Sequence, residues 1–366
     1  MARASRQVLI PVSLGAQSYE IVVERGGLAT IGARLRALGV GSRAALVTSA
    51  SILRLFGKTV TESLEEAGFT VTVIDVPEGE SAKTLAVAER CWNALLAARL
   101  DRTSTVVALG GGAVGDLAGF VAGTYMRGLN FVQLPTTVLA QVDASIGGKT
   151  AIDHPSAKNL VGVFYQPKLV LVDPSTAATL PDREFRSGLA EIVKHGIVLD
   201  AAYFADLEAS IADILGRNGD TLERIIGGSC RLKAGVIERD PEEKSELRFA
   251  LNYGHTVGHA LEATPYGRWT HGEAVSLGIV AEARLAARLG VAGPETVERQ
   301  ERLLAALGLP VRAGSVDADA VLAAARRDKK ARDGHVPFVL APSIGAFRLV
   351  YDVGQEDVRA ILAGLA

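Results

Sequence analysis

Three histidines crowd one short stretch of the chain: His255 and His259 in NYGHTVGHALE, and His271 in TPYGRWTHGEA. His255 and His259 are four apart, which places them on one face of a helix. The zincin pattern H-E-x-x-H is absent, because Thr256 holds the position of its glutamate. Any one of these histidines alone reads as a hydrogen-bonded structural residue. Three within 17 positions, each beside a glycine, make a metal site an equal reading. Nitrogen and oxygen ligands of this kind suit Zn2+ or Co2+. A further ligand must come from elsewhere, and Glu191 in SGLAEIVKHG is the candidate, on a helix that also carries Lys194 and His195. Residue types alone leave open which of the three histidines would bind.

A second chemical signal is the run Gly110-Gly111-Gly112-Ala113-Val114-Gly115-Asp116, which satisfies G-x-G-x-x-G between the strand TVVALG and an apolar helix. Glycines there let the backbone approach a phosphate, and the helix start offers unpaired N–H groups and the positive end of its dipole. The plainer reading is a tight strand–helix turn. The next strand, NFVQL, ends in Pro135-Thr136-Thr137, with no acid placed to hold a ribose, and Asp116 inside the loop would repel a pyrophosphate unless it held a hydroxyl. These features point to a nicotinamide site of a less common type.

Gly147-Gly148-Lys149-Thr150 resembles the end of a Walker A loop, but Asp143 stands where that motif needs its first glycine. What remains is expected to be a loop carrying Asp143, Lys149, Lys158 and Asn159, whose two cations could neutralise a phosphorylated substrate. Lys233, Arg248 and Lys330 singly read as solvated charges. Arg248 precedes Asn252 by four and His255 by seven residues, so all three could share one helical face.

Such residues need elements to position them. The segments 44–48, 71–76, 105–110, 130–134 and 169–172 are short, nearly continuous apolar runs, as expected of strands buried on both faces of a parallel sheet. Between two of them Leu85, Ala88, Trp92, Leu95 and Leu96 recur at helical spacing, with Ser81 as the expected cap. After Pro181 the chain turns Ala/Leu/Glu-rich, with helices expected over 186–199, 201–216, 221–239, 251–262, 273–289 and 294–307. The expected architecture is an α/β Rossmann-like nucleotide-binding domain over 1–180 followed by a mostly α-helical metal- and substrate-binding domain over 181–366, with the crevice between them as the default ligand site.

Composition narrows the function classes. The 366 residues suffice for two domains at about 150 residues each and for a large core. Lys and Arg total 39 against 41 Asp and Glu, so nothing in the charge favours nucleic acid or a membrane surface. No uncharged apolar run reaches the ~18 residues of a membrane span, and the N-terminal apolar stretch, broken by Pro11, does not read as a signal peptide. Two cysteines, Cys91 and Cys230, suit a reducing compartment, and the expected location is the cytoplasm.

Taken together, PEGESAKT, GGGAVGDLAGFVAGTYMRG, QLPTTVLAQVDASIGGKTAID, KNLVGVFYQP, TLPDREFRSGLAEIVKHG, LNYGHTVGHALE, HGEAV and DKKARDG resemble, in order and from about Tyr19 to Gly345, the 3-dehydroquinate synthases. The resemblance implies a homodimeric enzyme of the shikimate pathway with tightly held NAD and a divalent metal. It implies conversion of 3-deoxy-D-arabino-heptulosonate 7-phosphate to 3-dehydroquinate and phosphate, by transient oxidation, phosphate elimination, reduction, ring opening and an intramolecular aldol step.

By position, the resemblance makes Glu191, His255 and His271 the metal ligands and His259 a substrate-phosphate contact. The cofactor positions are Glu78, Gly79, Glu80, Ser81, Ala82, Lys83, Gly112, Ala113, Val114, Gly115, Asp116, Thr136, Thr137, Lys149, Lys158, Thr176, Ala177, Ala178 and Thr179. Substrate positions are Asp143, Lys149, Asn159, Lys194, Lys233, Arg248, Asn252 and Lys330, with Lys233 and Arg248 gripping the carboxylate. Arg127 matches a residue that reaches the neighbouring subunit's site. Three departures stand out: Ser51 replaces the usual Asn or Asp at a cofactor contact, the family's acid near Arg248 is Glu242 or Glu243, and Lys329 competes with Lys330. Other readings are a cyclase of sedoheptulose 7-phosphate or glucose 6-phosphate, which would not need the carboxylate pair, a metal-dependent polyol dehydrogenase, and a non-enzymatic NAD-binding protein.

Overall fold

The computed structural model describes residues 7–243, 245–262, 269–314, 319–321 and 337–365. Lys329 and Lys330 lie outside the described residues. The chain divides into two compact units, Met1–Leu180 and Pro181–Ala366.

The first unit is built on a seven-stranded sheet. Its strands are β1 (Val8–Val12), β2 (Tyr19–Val23), β3 (Arg43–Ser49), β4 (Thr70–Val76), β5 (Thr105–Gly110), β6 (Asn130–Pro135) and, after the separate hairpin of β7 (Lys149–His154) and β8 (Ala157–Phe164), β9 (Leu169–Val172). The order across the sheet is β1-β2-β9-β6-β5-β3-β4. All neighbours are parallel except β1 and β2, which pair antiparallel with Ile10 opposite Ile21. Alternate residues feed two cores, one on each face of the sheet. Ala45, Val47, Val106, Ala108 and Phe131 pack with the helices Leu85–Ala97 and Gly112–Thr124, whereas Ala44, Leu46, Val107, Leu109 and Val132 pack with Ile31, Leu35, Val60 and Leu64. That two-sided burial explains the near-continuous apolar runs.

Several elements differ from the sequence expectation. The 85–97 helix is capped by Thr84, whose hydroxyl accepts from the Val87 N–H, while the Ser81 hydroxyl donates to Glu78 O inside a preceding 3-10 turn. The expected loop at Lys149, Lys158 and Asn159 is the β7–β8 hairpin, and Asp143 sits on a π-helical turn, Ala140–Ala144. Strand β1 escaped notice because Pro11 breaks its apolar run, which an edge strand tolerates, and the short inner strand β2 was not expected either.

Among its described residues the second unit is helical, with one small antiparallel pair of strands, β10 (Phe338–Leu340) and β11 (Arg348–Val350). The helix Asp182–Leu199 begins four residues before its apolar stretch, and 201–216 splits at Ser210 into Ala201–Ala209 and Ile211–Leu215. Helices Gly219–Arg239 and Pro294–Ala306 follow the expected spans closely. The expected helix over 251–262 is two elements, a 3-10 segment Glu246–Asn252 and the helix His255–Glu262. Extended Tyr253 and left-handed Gly254 separate them, so Arg248, Asn252 and His255 do not lie on one continuous helix. The helix His271–Arg288 starts two residues early because Thr270 and Glu273 form a reciprocal capping box, which makes His271 its first residue.

Candidate active site

In the first unit the glycine run does what its composition allows. Gly111 is the extended residue before the 112–124 helix, and β5 delivers it from the sheet. A Cβ on Gly115 would lie 2.5 Å from Gln133 Oε1 and one on Gly112 would lie 3.2 Å from the Ala144 Cβ, so the helix start is pressed against its neighbours. Thr136 follows β6, donating its N–H to Gly110 O at 2.9 Å, and the Thr137 hydroxyl accepts from the Ala140 N–H. Thr176, Ala177, Ala178 and Thr179 occupy the 3-10 turn after β9, where the Thr179 hydroxyl donates to Thr176 O.

Lys83 is the hub of this unit's polar residues. Only 2% exposed, its ammonium donates to Asp116 Oδ2 at 2.8 Å and to Asn159 Oδ1. The Lys83 carbonyl accepts from the Asp153 N–H, and the Asp153 carboxylate accepts from the Asn159 N–H, which ties the β7–β8 hairpin to the 79–83 turn. Asn159 has φ +53°, a left-handed conformation that asparagine tolerates better than most residues. Burial pushes the Asp116 carboxyl up to about 6 against the pull of the Lys83 ammonium. Burial also opposes charge on Lys83, but Asp116, Glu80 and Asp153 raise it. Glu78 accepts from the Ser51 N–H at 3.0 Å, and Ser51 holds its carboxyl below the usual range. Lys149, Lys158 and Arg127 are exposed, and both Met126 and Arg127 are left-handed.

In the second unit three elements converge. Glu191 on the 182–199 helix is fully buried, and its Oε1 lies 3.5 Å from His255 Nε2 and 3.3 Å from His271 Nε2. One ligand atom from each of the three falls within 4.8 Å of the others. A buried carboxylate facing two imidazole nitrogens is a donor set that fits Zn2+ or Co2+ and leaves coordination positions for other oxygens. His259 stands beside them, its ring centroid 4.9 Å from that of His255 and 6.2 Å from that of His271. Burial disfavours charge on Glu191, yet Lys194 and His271 hold its carboxyl far below the usual range. Burial likewise works against an imidazolium at His271, but the Glu191 and Glu262 carboxylates push it up to about 10.

Close packing holds these three side chains in place. Gly272 donates its N–H to the Ser187 hydroxyl, and a Cβ there would lie 1.8 Å from Ser187 O, so the 271–288 helix meets the 182–199 helix almost backbone to backbone. Gly278 meets Gly254 O in the same way. The Gly254 N–H donates to buried Glu282, and the Tyr253 hydroxyl donates to Gln300 Oε1, which together fix the turn before His255. Among the described residues of this unit three Lys or Arg side chains are buried: Lys194 at 1%, Lys233 at 6% and Arg248 at 4% exposure. Lys194 pairs with Glu191 and donates to Leu251 O, and Arg248 Nε lies 3.3 Å from Glu243 Oε1, so the acid facing Arg248 is Glu243. Asn252 ends the 3-10 segment, half-buried.

The sequence reading missed Glu262, whose carboxylate lies 3.4 Å from His271 Nδ1, although its place three residues after His259 puts it on the same face. It also missed the supporting Ser187, Glu282 and Gln300, which carry no local signal. Among the described residues no helix is long and apolar enough to cross a membrane.

Comparison with known proteins places this architecture. The chain matches the models for the 3-dehydroquinate synthase N-terminal region over residues 73–187 and C-terminal region over residues 188–331. It is 48% identical to the 3-dehydroquinate synthase of Geobacter metallireducens, covering 93% of this chain and 95% of that one. With the 3-dehydroquinate synthase of Microcystis aeruginosa it shares 45% identity over 97% and 98% of the two chains. A solved 2-epi-5-epi-valiolone synthase from Streptomyces hygroscopicus subsp. jinggangensis, with NAD+ and Zn2+ bound, superposes with TM-score 0.88 at 29% identity, covering 96% of this chain and 98% of that one. Likeness of this extent, running through both units, leaves one assignment: the chain belongs to the 3-dehydroquinate synthase family.

Proposed function

We propose that the chain converts 3-deoxy-D-arabino-heptulosonate 7-phosphate to 3-dehydroquinate and phosphate, with NAD and a divalent metal as cofactors. The observation that carries the reading is the second unit's combination of a converging Glu191–His255–His271 donor set with three buried cations, Lys194, Lys233 and Arg248. Buried cations are costly unless anions meet them, and a substrate with a carboxylate and a phosphate supplies both. The family membership and the NAD+ and Zn2+ of the solved valiolone synthase support the cofactors.

When bound, the metal supplies a Lewis acid at the substrate hydroxyls and NAD a hydride acceptor that is restored within each turnover. The residues of the chain bind and orient. Glu191, His255 and His271 hold the metal, and His259 contacts the substrate phosphate. Lys233 and Arg248 take the carboxylate, with Arg248 exchanging Glu243 for it. Lys194, held by Leu251 O beside Glu191, presents its ammonium to substrate oxygens. Asn252, Asp143, Asn159 and Lys149 complete the substrate contacts. The start of the 112–124 helix cradles the cofactor phosphates, and Asp116, with Oδ2 on Lys83, offers Oδ1 to a cofactor hydroxyl. Glu78 to Lys83, Thr136, Thr137, Lys158 and Thr176 to Thr179 line the same cofactor. Fixing both ends of the substrate orients the reacting carbons.

A homodimer is part of this reading. Exposed Arg127 next to Met126, and the exposed apolar side chains Leu160 and Phe164 of β8, support a second copy as the partner. The two buried free cysteines support a cytoplasmic location. The test is to mix purified protein, Zn2+ or Co2+, NAD and the heptulosonate phosphate, and to follow phosphate and NADH absorbance together. Phosphate release without accumulated NADH, abolished by a chelator, is expected. Accumulated NADH without phosphate release would identify a polyol dehydrogenase and overturn the reading.

A further inference from the structure

Both proposed metal-binding histidines present Nε2 to the same oxygen, Glu191 Oε1. Their other nitrogens differ in what they face. His255 Nδ1 lies 3.1 Å from the Tyr253 carbonyl, and His271 Nδ1 lies 3.4 Å from Glu262 Oε2. A carbonyl and a carboxylate only accept, so each Nδ1 carries hydrogen, which leaves each Nε2 as the nitrogen available to a metal held beside Glu191. The partners are not equivalent: the carbonyl is neutral and built into the chain, whereas the carboxylate is charged and makes its imidazole the more basic donor.

We propose that Glu262 is a positioning residue that holds His271 with Nδ1 protonated and its ring turned so that Nε2 faces the metal bound by Glu191 and His255. The inference rests on the metal-site reading above. Glu262 ends one helix and His271 begins the next, so one contact also fixes the relation of the two helix ends. The trio His259, Glu262 and His271 could itself surround an ion. Two observations favour orientation over direct ligation: the Glu191 set is the more buried, and His271 already commits Nε2 to it.

The test titrates Co2+ into metal-free full-length protein, wild type and the variants E262A, E262Q and E191Q, following the visible Co2+ bands and competition with a chelator. Wild type should bind one equivalent, and E191Q should lose binding. E262A should bind 10- to 100-fold more weakly with altered bands. E262Q, whose amide oxygen still accepts from Nδ1–H, should recover most of the affinity, which a merely structural role would not predict. Unchanged melting of the metal-free variants would confirm that they fold. E262A affinity equal to wild type, with E191Q impaired, would overturn the proposal and spare the metal site. A second equivalent in wild type that E262A abolishes would overturn it by making Glu262 a ligand. No binding by wild type would overturn the metal reading itself.

Discussion

Replacing Gly272 by alanine should drive two of the proposed metal ligands apart. The added Cβ would lie 1.8 Å from Ser187 O, 2.5 Å from Ser187 C and 2.7 Å from Ser187 Cα, all backbone atoms that no rotamer change can move. Ordinary contact begins at about 3.4 Å, so the start of the 271–288 helix must withdraw by roughly 1.5 Å. His271 is the adjacent residue, and Glu191 lies one turn beyond Ser187 on the opposing helix. A metal site tolerates displacements of about 0.2–0.5 Å. A retreat of that size therefore exceeds the tolerance severalfold, and Co2+ or Zn2+ affinity should fall by at least ~100-fold. Overpacking of this kind costs about 1–3 kcal/mol. A loss of about 2 kcal/mol would lower the melting temperature by roughly 4–8 °C in a unit of this size. Gly235→Ala is the matched control: it is also a helical glycine, but nothing lies within 4 Å of its added Cβ. Relief of helical glycine by about 1 kcal/mol should make that variant slightly more stable, with metal binding unchanged. The assay is Co2+ titration and thermal unfolding of the three proteins side by side. If Gly272→Ala bound Co2+ within about threefold of wild type and melted at the same temperature, close approach of these helices would not be what sets the site.

Lys83→Met leaves Asp116 and Asn159 without their shared ammonium, so NAD affinity measured by calorimetry should drop at least tenfold. Unfolding in urea should register a loss of about 2–3 kcal/mol, below the ~3–5 kcal/mol of a fully buried pair because the Asp116 side chain keeps 21% exposure. Arg248→Ala should reduce kcat/KM on the heptulosonate phosphate by roughly 30-fold or more, the equivalent of losing a buried charge-assisted contact of about 2 kcal/mol; a ketose phosphate without a carboxylate should bind the variant and the wild type equally, and a shared loss would refute the assignment. Glu273 supplies a pH dependence. Burial raises its carboxyl, but Arg183 and the Thr270 N–H outweigh this and hold it below the usual glutamate range. Its contribution is thus present above the unfolded chain's carboxylate range and lost as pH falls through the lower folded-state value. Melting temperature should decline between about pH 5 and 3 less steeply in Glu273→Gln than in wild type, and parallel curves would remove Glu273 from the account.

Much of the first unit was legible because its chemistry is local. The four central strands β3, β5, β6 and β9 are buried on both faces, and that continuous apolar pattern marks them whatever they pack against; the edge strand β4 carries enough of it to be read as well. The glycine run at the end of β5 needs no distant partner to be recognised, since glycine is required wherever backbone must approach backbone. Strand β1, interrupted by Pro11, and the solvent-facing strand β8 of the β7–β8 hairpin were not legible, because only their partners define them. In the second unit, residue types narrowed the metal ligands to three histidines and a glutamate, and helical spacing placed two of those histidines together. Spacing within one helix carries no information about another helix. Which nitrogens face Glu191 and that Glu262 stands behind His271 go with how closely the helices pack at Gly272 and Gly278, contacts between residues far apart in the chain, and which acid faces Arg248 was settled only by the folded turn between 243 and 248. Local propensity is written residue by residue. The meeting of distant side chains depends on every backbone contact between them, and only the folded chain specifies it.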